Sequence, residues 1–76
     1  LLLDHAPAAL ALAQWAAFEG SRVQWIGAPP SDISLDAALP MRSAEERHAA
    51  LATLAREFGL DVLLDGAGLV VLRAAR

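Results

Sequence analysis

A strand–helix–strand order occurs twice in this chain, and that repetition constrains the fold more than any single residue does. Leu1-Leu2-Leu3-Asp4 leads into a helix over Pro7–Glu19, Gly20 stops it, and Arg22-Val23-Gln24-Trp25-Ile26 follows as a strand. Ile33–Leu39 then leads into a helix over Ser43–Phe58, Gly59 stops that one, and Leu60–Asp65 follows. Gly66-Ala67-Gly68 links this strand to a last one, Leu69–Arg73. The order predicts an α+β fold, a small βαββαββ domain covering residues 1–76.

The helix ends can be read from local chemistry. Pro7 suits a first turn, where its missing N–H costs no hydrogen bond. Gly20 and Gly59 suit the left-handed cap that closes a helix. Ser43 and Glu46 have the spacing of a capping box, in which each side chain accepts from the other residue's backbone N–H. Glu45 and Glu46 also complement the positive end of the helix dipole. Helical spacing sets Ala11, Leu12, Trp15 and Ala16 on one buried stripe and Ala50, Leu51, Leu54, Ala55 and Phe58 on another. Leu10 and Phe18 fall to the flank of the first helix, while Arg47, His48, Thr53 and Arg56 face outward from the second.

The strand readings rest on alternation and breakers. Val23 and Trp25 alternate with Arg22 and Gln24, as in a half-buried strand. Pro40 ends the third strand, because proline cannot donate to a central ladder. Pro29-Pro30 stiffens the irregular loop over residues 27–32. Asp65-Gly66-Ala67-Gly68 is a link of hairpin length.

Composition excludes more functions than it suggests. A chain of 76 residues holds one core and no deep cleft, and it buries only about 60% of its unfolded surface. Net charge is −3, and the six arginines are scattered without forming a basic stripe, so nucleic acid is not an expected partner. Absence of cysteine removes disulfides, thiolate nucleophiles and the usual zinc sites. The apolar run from Ala6 to Phe18 is too short to span a bilayer. The chain opens on Leu1 rather than Met, which suggests a domain excised from a longer protein. Membrane association is then expected only through other parts of that protein.

No residue pattern points to catalysis. His48 has Glu45 on its face but no second histidine, and His5 reads as a turn residue. Gly66-Ala67-Gly68 lies between strands and opens no helix, so it is not a phosphate loop. The serines lack a nucleophile-elbow context, and no carboxylate pair is set for acid–base work. The chain is therefore expected not to be an enzyme and to need no cofactor or metal. Trp25, ending a strand beside the Pro29-Pro30 loop, is a candidate interface anchor. Leu69, Val70 and Val71 lie in a strand that is apolar on both faces, and this C-terminal strand is expected to be a sheet edge that recruits a partner; the rival reading folds these groups inward and docks through the helix surface around Arg47 and Arg56. The candidate partner-binding residues are thus Trp25, Pro29, Pro30, Leu69, Val70 and Val71.

The segment Leu12-Ala13-Gln14-Trp15-Ala16-Ala17-Phe18-Glu19-Gly20-Ser21-Arg22-Val23-Gln24-Trp25, with the later Ala50-Leu51-Ala52-Thr53-Leu54 and Gly59-Leu60, resembles the STN family. That family is the short domain at the N-termini of secretins and of TonB-dependent signalling receptors. The two tryptophans are also similar to the toxin co-regulated pilus Q family. The Pro30-Ser31-Asp32 loop resembles the C-terminal domain of some type IV secretion outer-membrane lipoproteins. Leu39-Pro40-Met41-Arg42 departs from the glycine that the STN pattern often carries before its second helix. The resemblance implies two helices held between or against small two- and three-stranded sheets. It implies a non-catalytic periplasmic module that binds protein subunits of a bacterial outer-membrane secretion or pilus complex, with a homo-oligomer also open. Alternatives are the signalling domain of a TonB-dependent receptor, contacting an anti-sigma regulator, and a small-ligand or peptidoglycan-binding domain.

Overall fold

A computed structural model describes residues 1–65 and 68–74. The elements are β1 (Leu2–Pro7), α1 (Ala8–Glu19), β2 (Arg22–Trp25), β3 (Ser34–Ala38), α2 (Ala44–Phe58), β4 (Leu60–Asp65) and β5 (Gly68–Ala74). The fold is α+β in the expected βαββαββ order. β1 pairs antiparallel with β3 as a two-stranded sheet, and β2, β5 and β4 form a three-stranded sheet in that order. Within the latter, β2 runs parallel to β5 and β4 antiparallel to it.

The helix termini form where the sequence places them, with one shift. Ser43 is the N-cap of α2: its Oγ accepts from the Glu46 N–H at 3.1 Å, and Glu46 Oε1 accepts from the Ser43 N–H at 3.2 Å. Gly20 and Gly59 close their helices in the left-handed conformation. Pro7, expected inside α1, instead ends β1 and serves as the N-cap residue, with φ −69° and an extended ψ of 162°. The ring fixes φ but leaves ψ free, so one proline can finish a strand and admit a helix.

Both helices share one apolar core with both sheets. Leu12, Trp15 and Leu54 are fully buried, and Leu51 and Phe58 nearly so. Leu3 and Ala6 of β1, Met41, and Leu60 of β4 complete the cluster, with Val23, Trp25, Leu35 and Val62 partly buried against it. Ala55, expected in the stripe, is only half-buried. No polar or charged side chain is buried among the described residues.

The interhelical contact has a polar seam at its rim. The Trp15 indole Nε1 donates to the Arg47 carbonyl at 2.9 Å, which lets a tryptophan sit fully inside without an orphaned N–H. Arg47 was expected to face outward. It folds against α1 instead, where its Nε donates to Glu19 Oε1 at 2.6 Å. The cause is electrostatic: Glu19 sits in the last turn of α1, where the helix dipole disfavours a carboxylate, and a guanidinium on α2 offsets that charge. Thr53, also expected outward, is half-buried and turns its hydroxyl back to the Ala49 carbonyl.

Candidate interaction surface

The sheet order overturns one expectation directly. β5 lies between β2 and β4, so the strand carrying Leu69, Val70 and Val71 is central and both its backbone edges are paired. Val23 pairs with Leu69, Gln24 with Val70 and Trp25 with Val71 on one side. Leu64, Leu63 and Val62 pair with the same three on the other. A strand without polar alternation, next to a parallel neighbour, fits a central place in a sheet better than an edge. The free edges of this sheet belong to β2 and β4.

Gly68 sets how closely β2 and β5 approach. Its φ is +149°, and a Cβ at that position would lie 2.6 Å from the Arg22 carbonyl oxygen. Glycine is required there by both conformation and space. The rest of the expected hairpin link, Gly66 and Ala67, lies outside the described residues. The flanking Asp65 and Gly68 are paired across the two strands.

Trp25, Pro29 and Pro30 occupy the end of β2 and the loop after it. Trp25 is half-buried against the core, Pro29 is exposed and Pro30 half-buried. The loop is flanked by Ile26 and Ile33, which are 49% and 39% exposed. It therefore presents an apolar lip stiffened by two prolines, with Trp25 anchored at its base.

Other exposed apolar groups lie elsewhere on the surface. Leu63 and Leu64 of β4 are 60% and 43% exposed. Phe18, 59% exposed, lines an open groove of about 690 Å³ with Leu39, Pro40, Met41 and Arg42. Pocket-sized concavities usually combine apolar walls with a few convergent polar groups. Here the polar lining is Arg42 and Glu46, and Glu46 is committed to the capping box.

One side-chain cluster was not legible in the sequence. β1 continues past Asp4 to Pro7, so His5 is a strand residue and not a turn residue. Leu3 pairs with Ala37 and Ala6 with Leu35, so β1 advances three positions while β3 retreats two. The extra residue forms a bulge, with His5 at φ +48°. The His5 N–H donates to Asp36 Oδ1 at 2.6 Å, and its ring lies 3.4 Å from Asp36 and 3.8 Å from Asp4. These three residues are grouped closely enough to offer ligand atoms to a cation, but all are exposed. Only the β1–β3 register brings Asp36 to His5, and no local motif encodes that register. His48 is exposed on α2 and joins no such group among the described residues.

Among the described residues no helix is long and apolar enough to cross a membrane. No family model, curated protein or solved structure matches this chain.

Proposed function

We propose that this chain is a non-catalytic protein-interaction module of a bacterial envelope assembly, periplasmic and associated with the outer membrane through the larger protein that carries it. The observation that carries this reading is the architecture. Two helices share a core with a two-stranded antiparallel sheet and a three-stranded mixed sheet, the arrangement that the STN resemblance implies. Fold alone does not fix function, so the surface supplies the second support. The described residues bury no ionisable side chain and display apolar groups at strand edges and in the loop after β2. Such a surface suits docking better than chemistry.

Fractionation of cells expressing the full-length gene product tests the assignment. Recovery with the outer membrane, together with other envelope subunits, is the expected result. A product confined to the cytoplasm would reject it. Chemical-shift mapping with a co-purifying subunit locates the surface, and perturbation is expected at Ile26, Pro29-adjacent amides, Leu63 and Leu64.

A further inference from the structure

The sheet topology leaves four strand edges without a strand partner among the described residues: those of β1, β3, β2 and β4. Exposed edges invite pairing with another chain, and folded proteins guard them with charge, proline and bulges. The two-stranded sheet is guarded in this way. β1 carries a bulge, the exposed Asp4 and Pro7, and β3 carries the exposed Asp36. The three-stranded sheet is guarded by charge alone. β2 contains no proline, and β4 pairs with β5 without a register shift from Asp61 to Asp65 while exposing Leu63 and Leu64.

The charges on these two edges are complementary to each other. β2 exposes Arg22 and β4 exposes Asp61, and neither side chain has an ion-pair partner among the described residues. Pairing β4 with β4, or β2 with β2, would bring like charges to one seam. Pairing β4 with β2 brings opposite charges together. β2 is parallel to β5 and β4 antiparallel to it, so β2 and β4 run in opposite directions. A second copy placed alongside by translation therefore presents its β2 antiparallel to β4 of the first.

We propose that β4 of one copy pairs antiparallel with β2 of a second copy, extending the three-stranded sheet from molecule to molecule. A register with Val23 opposite Val62 keeps the half-buried rows continuous. It sets Arg22 opposite the exposed Leu63, covering that leucine, and Gln24 opposite Asp61. Arg22 then lies diagonal to Asp61 on the same face, within reach of a long side chain. The contact uses a different patch on each copy, so every added copy leaves one β2 and one β4 edge open, and the assembly propagates. This goes beyond the envelope assignment and does not depend on it. A monomeric chain would leave the fractionation result untouched, and the reverse also holds.

Sedimentation velocity over a concentration series, with circular dichroism to confirm folding, tests the pairing. The unsubstituted chain is expected to associate, more weakly as salt is raised. β4 carries Asp61 and Asp65, so Arg22→Asp makes both edges acidic and the double substitution Asp61→Arg with Asp65→Arg makes both basic; each variant alone should associate about tenfold more weakly. An equimolar mixture of the two variants should recover association, because acidic edges then meet basic ones. A chain that stays monomeric to about 1 mM overturns the proposal. So does association that neither substitution weakens, or a mixture that associates no better than its separate components.

Discussion

Gly68→Ala probes the placement of β5 more sharply than any core truncation. Two separate costs can be assigned to it. The φ of +149° lies where an L-residue is strained, which costs roughly 1–3 kcal/mol. The added Cβ would also sit 2.6 Å from the backbone oxygen of Arg22, which cannot rotate away as a side chain could. Relieving that overlap means moving β2, a repacking cost of about 1–3 kcal/mol. The sum is about 2–6 kcal/mol against a total stability of about 4–11 kcal/mol expected for a chain of this length. Gly20→Ala is the matched control. Gly20 has φ +68° and nothing within 4 Å of its absent Cβ. Its left-handed strain of about 1–2 kcal/mol is partly offset by about 0.4–1 kcal/mol from a stiffer unfolded chain. Thermal unfolding followed by circular dichroism should therefore show Gly20→Ala lowering the melting temperature by about 5 °C and Gly68→Ala by more than about 10 °C. If Gly68→Ala melts no lower than Gly20→Ala, β2 does not run against Gly68, and the central position of β5 falls with it.

Leu54→Ala removes a fully buried side chain from the apolar core, and should cost about 2–5 kcal/mol in urea unfolding; an unchanged midpoint would reject the packed face of α2. Trp15→Phe keeps an aromatic ring but loses the donor to the Arg47 carbonyl; the lost bond and the small void together should cost about 1–3 kcal/mol, and a neutral result would mean the indole bond adds nothing. Chelator treatment should leave the melting temperature unchanged, since the only ligand-type cluster among the described residues is exposed; a chelator-sensitive transition abolished by His5→Ala would show that Asp4, His5 and Asp36 hold a structural metal.

Most of the helical structure was legible because its signals are local. The Ser43–Glu46 capping box, the two glycine caps and the stripe Leu51, Leu54, Phe58 each lie within a few turns of sequence, and the structure realises each of them. The misread side chains depend on contacts far apart in the chain. Arg47 sits on the helix flank that periodicity assigns to solvent, yet Glu19, 28 residues away, draws it inward. His5 looks like a turn residue until β3 delivers Asp36 to its amide, 31 residues away. In both cases a charged group near a helix end or a bulge finds a partner that only tertiary structure supplies.

The interface residues illustrate the same division. The run Leu69-Val70-Val71-Leu72 lacks polar alternation, and two readings of that fact compete. An apolar edge is a docking strand or an aggregation hazard, whereas an apolar centre is simply enclosed. Sequence cannot choose between them, because the choice rests on whether β2 reaches across to pair with β5. It does so in parallel, a pairing between residues more than 40 positions apart with no turn to announce it. Once β5 is central, its backbone has no free edge to offer a partner, and the open edges are those of its two neighbours. Their edges, with the apolar lip from Ile26 to Ile33 that continues β2, are where a partner strand can add to this sheet.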